Sequence, residues 1–259
     1  MYKKKIIVSG ATSGIGREVA KLLVQNGFYI IMLGRSSKRL LETQNQIDPA
    51  RDSTCVVSCD LTRKESIAKT VQIISNEKKP IYGLVNAAGI GYFKTVINTS
   101  DEEIAETFSA NIMGLIYLTK EISKLMIEEK SGQIVNVASM AGKITTPKAA
   151  IYGSSKAAVI AFSNGLRLEL QPYHVKVSTI NTGPVSTPFL LKADPSGRYK
   201  KSMNHFLIPS TLVAKKIALI FNKYKREVNL PWYMEGAAKL YPFWPNIGDY
   251  LTRVVFNKK

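Results

Sequence analysis

Short, near-continuous apolar runs alternate with longer amphipathic stretches along most of this chain. KKIIVSG precedes an amphipathic stretch over 14–26, FYIIMLG one over 37–47, STCVVSC one over 63–77, and IYGLVNAAG one over 101–129. The series continues with GQIVNVAS and 152–171, then VKVSTIN and 209–224. Apolar positions recurring every three or four residues predict helices, and short apolar runs without alternation predict strands buried on both faces. Such strand–helix alternation builds a central parallel sheet covered on both sides by helices, an α/β three-layer αβα sandwich. Without a linker, repeat or low-complexity tract, residues 1–259 read as one domain. Two segments break the rhythm. Residues 187–208, with Pro188, Pro195 and Gly197 inside and Pro209 after, form a connection long enough to act as a substrate lid. Residues 230–259 are a C-terminal extension of different character, LPWYMEGAAKLYPFWPNIGDYLTRVVFNKK.

A chain of 259 residues that is 45% hydrophobic buries a sizeable core and is not disordered. No apolar run approaches the roughly 18–20 residues that span a bilayer, and IIV after YKKK is too short for a signal-peptide core. A cytoplasmic protein is therefore expected. Cys55 and Cys59 would stand on one strand face about 13 Å apart, beyond disulfide reach, so free buried thiols are expected. His174 and His205 have no Cys or acidic cluster beside them; both are expected in surface or loop positions, and no metal site is readable. Charge is the unusual quantity, since 36 basic against 19 acidic residues give +17. That excess suits an anionic partner, whether a phosphorylated cofactor, an acidic protein, an anionic membrane surface or nucleic acid, although general solubility accounts for it as well.

The first strand–helix junction, IIVSGATSGIGREVAKLL, holds Gly10, Gly14 and Gly16 in its turn. Glycines there let the backbone approach a pyrophosphate, while the helix N-terminus supplies N–H groups and the positive end of a dipole. The spacing is G-x-x-x-G-x-G rather than the G-x-G-x-x-G of the standard fingerprint. At the end of the second strand, where an acidic residue would hold an unphosphorylated ribose, the chain has Gly34, Arg35 and Ser36. Arginine pairs with a 2′-phosphate through charge-assisted hydrogen bonds, and Arg17 is expected to reach the same group. The expected cofactor is NADP(H) rather than NAD(H).

In AAIYGSSKAAV, Tyr152 and Lys156 stand four apart on a helix, on one face. A nearby ammonium favours phenolate, so the lysine is expected to lower the tyrosine pKa towards the range of a general acid or base. With the glycine turn, NAAG at 86–89, Asn111, NVAS ending at Ser139, and Tyr152 with Lys156, the sequence resembles the short-chain dehydrogenase/reductase family over roughly residues 5–225.

That resemblance implies a Rossmann-like fold and an NADP-dependent oxidoreductase. It assigns Ser139, Tyr152 and Lys156 to a catalytic triad, with Asn111 as the fourth member. Cofactor contacts are implied for Gly10, Ser13, Gly14, Ile15, Gly16 and Arg17 in the turn, Arg35 after the second strand, and Asp60 and Leu61 at the adenine. Asn86 and Gly89 belong to the loop after the fourth strand, Tyr152 and Lys156 to the nicotinamide ribose, and Val185 and Thr187 to the nicotinamide. Tyr152 would protonate the carbonyl oxygen, Ser139 would orient it, and Asn111 would hold a water linking Lys156 to solvent. Ser9, Ala87 and Thr182 depart from the family pattern, which has Thr, Asn and Pro there; local rigidity, not chemistry, is what they bear on. A homodimer or homotetramer through 101–129 and 152–171 is implied as well.

The sequence says least about the substrate. Phe189, Leu190, Leu191, Phe206 and Leu207 of the lid are expected to line a pocket for a lipophilic ketone or aldehyde, with ordinary packing of a mobile loop as the alternative. The aromatic and basic extension suits peripheral membrane contact, an oligomer contact, or packing on the protein's own sheet. A 3-oxoacyl carrier-protein reductase, whose carrier is acidic, and a catalytically silent NADP(H)-binding sensor are the alternative readings. No nucleic-acid recognition module is present in the sequence.

Overall fold

The computed structural model describes residues 3–76 and 80–256; residue 77, the last of the helix expected over 63–77, and residues 257–259 of the extension lie outside them. The chain runs β1 (Lys5–Ser9), α1 (Gly14–Gln25), β2 (Tyr29–Gly34), α2 (Ser37–Ile47), β3 (Thr54–Ser58), α3 (Lys64–Asn76) and β4 (Ile81–Asn86). It continues with α4 (Asp101–Phe108), α5 (Gly114–Glu128), β5 (Gly132–Ser139), α6 (Ala150–Leu170), β6 (Val175–Thr182), β7 (Val185–Ser186), α7 (Pro188–Ala193) and α8 (Arg198–Ser202). β8 (Ile208–Pro209), α9 (Ser210–Asn222), β9 (Glu227–Leu230), α10 (Trp232–Leu240) and α11 (Pro245–Phe256) complete it.

Seven parallel strands form the central sheet in the order β3-β2-β1-β4-β5-β6-β9, the α/β architecture expected from the alternation. Because successive strand residues point to opposite faces, each strand feeds two cores. Ile6, Val8, Ile30 and Met32 pack with Val19 and Leu23 of α1 and Val213 and Ile217 of α9. Ile7, Ile31, Leu33 and Leu84 pack on the other side with Ile67 of α3, Leu118 and Ile122 of α5, and Leu166 of α6. Each such side chain, fully buried, stabilises the fold by about 1.5–3 kcal/mol. This two-sided burial is why the strands read as continuous apolar runs.

Differences from the sequence pattern are local. The stretch 101–129 starts at a capping box of Ser100 and Glu103, but is broken by a π-helical turn, Ser109–Met113, between α4 and α5. β9 is an edge strand of mixed polarity, EVNL, which the apolar pattern does not predict. Within the lid stand the short helices α7 and α8, which the sequence pattern did not name. Cys55 and Cys59 are free, and His174 and His205 are exposed.

The strand order reverses between β1 and β4, so the loops leaving these neighbours diverge and open a crevice at the C-terminal edge of the sheet.

Candidate active site

Along this edge lies one cleft of about 1170 Å³, reaching from the β1–α1 turn to the C-terminal helices. At its phosphate end Gly10 and Gly14 adopt φ of +69° and +52°, the left-handed region that glycine takes without strain. A Cβ on Gly10 would stand 2.8 Å from the Ala88 backbone, so the turn and the β4 loop are in backbone contact. Ser9, where the family has Thr, keeps the tie: its Oγ accepts from Ala87 N (3.2 Å) and Ala88 N (3.3 Å). Ser13 precedes α1 without capping it through its side chain, and the helix has no acidic residue in its first turn. The positive end of α1 is thus left to whatever enters the cleft, and the donor set fits a pyrophosphate.

Ser13, Gly14, Ile15, Asp60, Leu61, Gly89, Val185 and Thr187 all line the cleft, as does Arg35. Arg35 makes a loose pair with Glu106 at 3.7 Å, with 62% of its side chain exposed. Arg17 is exposed on α1 and is not on the cleft wall, whereas Arg39, which the sequence reading did not name, lines it. The signal for Arg39 was available, since it stands four residues after Arg35 in the first turns of α2.

Gly16 and Asn86 are not on the cleft wall either. A Cβ on Gly16 would overlap the Gly10 carbonyl oxygen, so this glycine lets α1 close on its own turn. Asn86 is buried beneath the floor, where its Nδ2 donates to Thr119 Oγ1 and Asn136 Oδ1, both at 2.8 Å, tying β4 to α5 and β5.

The chemistry-bearing set meets at the middle of the cleft. β5 ends at Ser139, α6 supplies Tyr152 and Lys156, and the π-helical turn turns Asn111 inward. Ser139 stands beside Tyr152; its Oγ donates to Thr182 O at 3.2 Å and accepts from Ala141 N at 3.1 Å. Thr182, where the family has Pro, continues β6 and stays paired with β9. Lys156 Nζ lies 5.9 Å from the Tyr152 ring centre and donates to Val137 O at 3.1 Å. Asn111 lies behind, donating to Ile90 O (2.8 Å) and Ser155 Oγ (3.0 Å) and accepting from Ile90 N (2.9 Å). A Cβ on Gly89 would fall 3.2 Å from Asn111 Oδ1 and 3.3 Å from Lys156 Nζ, so a glycine is what lets these two groups flank the loop.

Electrostatics here differ from the expectation. Burial pushes the Tyr152 phenol up to about 12, with the Ser139 hydrogen bond acting in the other direction. Burial also brings Lys156 down to about 8. The lysine therefore does not depress the phenol in the chain by itself; desolvation decides both groups. The result is a phenol that holds its proton at neutral pH, beside an ammonium close to releasing one.

The far end is apolar. Phe93 meets the Tyr152 ring edge-on and Phe189 meets it tilted, at 5.7 and 5.5 Å between ring centres, and the Tyr199 ring of α8 lies 4.4 Å from that of Phe93. Of the lid residues expected here, Phe189, Leu190 and Phe206 line the cleft, whereas Leu191 is half exposed and Leu207 stands outside the wall. Tyr233, Leu240, Trp244 and Ile247 of the extension complete the wall, a role the sequence did not assign. Among the described residues no His, Cys, Asp and Glu cluster suits a metal.

A family model described as short chain dehydrogenase matches residues 4–196. An uncharacterised oxidoreductase of Staphylococcus saprophyticus is 34% identical over 202 residues, 77% of this chain and 86% of that protein. Among solved structures, a closed form of serine dehydrogenase complexed with NADP+ superimposes with a TM-score of 0.80 at 26% identity, over 87% of this chain and 94% of that one. A variant of actinorhodin polyketide ketoreductase with NADPH gives 0.80 at 25% identity, over 88% and 95%.

Proposed function

The chain belongs to the short-chain dehydrogenase family, and from that premise we propose that it is an NADPH-dependent reductase of a lipophilic ketone or aldehyde. One observation carries the reading. A protonated phenol, a hydroxyl and a lysine converge in the middle of a cleft whose one end suits a pyrophosphate beside two arginines and whose other end is apolar. Likeness to a polyketide ketoreductase with NADPH supports both the cofactor and the carbonyl.

Gly10, Gly14 and the N-terminus of α1 would hold the pyrophosphate, Arg35 and Arg39 the 2′-phosphate, and Asp60 and Leu61 the adenine. Gly89, Val185 and Thr187 would hold the nicotinamide half, with Lys156 on its ribose hydroxyls. When bound, NADPH supplies a hydride to a carbonyl carbon. The chain's own groups handle the oxygen: Ser139 donates a hydrogen bond that orients it, and Tyr152 delivers the proton as negative charge develops there. A phenol held near 12 is fully protonated at pH 7 and so is ready to act as the acid. Lys156, at about 8, stabilises the phenolate that forms and re-supplies its proton. Asn111 orders a water that passes the next proton in from solvent.

Residues 1–259 form one domain with a lid at 187–208 and an extension at 230–259. It is a cytoplasmic homodimer or homotetramer through α4, α5 and α6, with its extension touching a membrane peripherally. Free Cys55 and Cys59 are in keeping with a reducing compartment. Oxidation of NADPH at 340 nm against ketones, aldehydes and 3-oxoacyl thioesters tests the reading. Replacing Tyr152 by Phe keeps the ring packing and should lower turnover by about 10²–10⁴-fold with NADPH binding intact. Retained turnover in that variant sinks the assignment, and efficient reduction of carrier-bound 3-oxoacyl groups alone would favour the carrier-protein reductase.

A further inference from the structure

The C-terminal helices have two sides. Tyr233, Leu240, Trp244 and Ile247 line the cleft, yet Leu240, Trp244 and Ile247 are each more than half exposed, so they form its lip. Beyond the lip stand Trp232, Phe243 and Tyr250, 80%, 74% and 66% exposed. The wall of the substrate end continues onto this outer aromatic face through ring contacts, Tyr233 with Trp232 and Trp244 with Phe243, each at 6.2 Å between ring centres. Contiguous exposed apolar surface of this kind marks an interaction site.

Across the mouth, the lid brings cations. α8, RYKKS, turns Tyr199 into the cleft and carries Arg198, Lys200 and Lys201 beside it, while Lys192 of α7 lines the wall. Lys192, Lys200 and Lys201 belong to none of the ion pairs among the described residues. Amphipathic tryptophan and tyrosine rings next to uncommitted cations match the headgroup zone of an anionic bilayer, where the rings enter the boundary and the cations meet phosphates. A second copy of this chain would bring its own cations and a further +17 against the same rim. No helix among the described residues is long and apolar enough to cross a membrane.

We propose that the α10–α11 face rests on an anionic lipid surface and that the cleft takes from it a long-chain carbonyl compound, whose apolar tail slides over the Leu240, Trp244 and Ile247 lip to the Tyr152 hydroxyl. This rests on the carbonyl-reductase reading for the chemistry, but its surface and its ligand are testable without turnover.

The protein has only two tryptophans, Trp232 and Trp244, both on this face. Intrinsic fluorescence therefore reads the docking directly. The emission of the full chain should shift to the blue on phosphatidylglycerol-containing vesicles, be quenched by lipids brominated on the acyl chain, and stay unchanged on phosphatidylcholine alone. The triple variant Trp232→Ala, Phe243→Ala, Tyr250→Ala changes no cleft-lining residue and should bind anionic vesicles at least about tenfold more weakly. Its kcat/KM for a short, water-soluble ketone should match the wild type. For a long-chain ketone presented in vesicles, the apparent KM of the wild type should fall about tenfold and that of the variant should not. A brominated long-chain ketone should quench Trp244 in the variant, with or without turnover.

Unshifted emission on anionic vesicles overturns the surface, as does a blue shift that depends on protein concentration without lipid, which would make the face a contact between copies. Absent quenching by the brominated ketone overturns the ligand class. Quenching and docking without turnover of any ketone would sink the reductase reading and leave this one standing.

Discussion

Replacing Lys156 by Met should make the protein more stable at neutral pH while abolishing its turnover, with a stability gain that fades as the pH rises. The Lys156 side chain is only 5% exposed, and its ammonium is satisfied by one carbonyl, Val137 O at 3.1 Å. Burial lowers it to about 8 from an ordinary value of 10.5. Between those two values the unfolded chain holds a proton that the native chain has released, so stability rises with pH across that window. Below about pH 8 the native state carries the whole penalty, about 3 kcal/mol at 1.36 kcal/mol per pKa unit. Met has similar length and no charge, and so removes it. Loss of the hydrogen bond to Val137 offsets about 1 kcal/mol. A net gain of about 2 kcal/mol is expected near pH 6.5, and the linkage relation shrinks it by about 2 kcal/mol by pH 9.5. Tyr152, raised to about 12, loses stability with pH only above its unfolded value of 10 and contributes equally to both proteins. Urea unfolding followed by circular dichroism at a series of pH values measures the difference, provided the m-values agree. A gain that does not vary with pH would show that Lys156 is not depressed in the native state. A loss at every pH would show that the ammonium stabilises the fold, and the account of this site by desolvation would fail.

Arg35→Ala should raise the dissociation constant for NADPH by about 10–100-fold, the worth of a hydrogen bond to a charged group, and leave that for NADH within about twofold. Equal weakening of both in a fluorescence titration would remove Arg35 from the 2′-phosphate, because its pair with Glu106 is loose and exposed, worth less than about 1 kcal/mol to the fold. Gly16→Ala drives a methyl into the Gly10 carbonyl, so thermal denaturation should show a loss of about 1–3 kcal/mol together with weakened NADPH binding. Unchanged NADPH affinity in that variant would mean the phosphate turn does not depend on the close approach of α1.

Much of the site is local and so is legible in sequence. The four-residue step from Tyr152 to Lys156 is a property of any helix, and α6 delivers it. The glycine turn works through backbone conformation, and Gly10 and Gly14 take the left-handed region where the pattern places them. Where the Arg17 and Asn86 side chains point was not legible: each is near the turn or the loop in sequence, but which way a side chain leaves its element depends on neighbours far along the chain, here Thr119 and Asn136 for Asn86. The pKa directions were not legible either. Proximity along a helix suggests that a lysine lowers a phenol, but burial acts on both groups and depends on everything packed over them.

From the sequence alone came the alternation of strand and helix, the helix over 37–47 and nearly all of that over 14–26, the phosphate turn, and the order of Ser139, Tyr152 and Lys156 along the chain. These are set by periodicity and by backbone preferences that act over a few residues. Tertiary structure decided the rest. It recruited EVNL as an edge strand beside β6, placed a π-helical turn so that Asn111 faces Lys156 across Gly89, and brought Arg39 rather than Arg17 to the cleft. It also folded an aromatic tail into the outer wall of the cleft that begins at Gly10, more than two hundred residues earlier. Contacts at that separation leave no period in the sequence; they arise only when the apolar surfaces of distant elements are removed from water together.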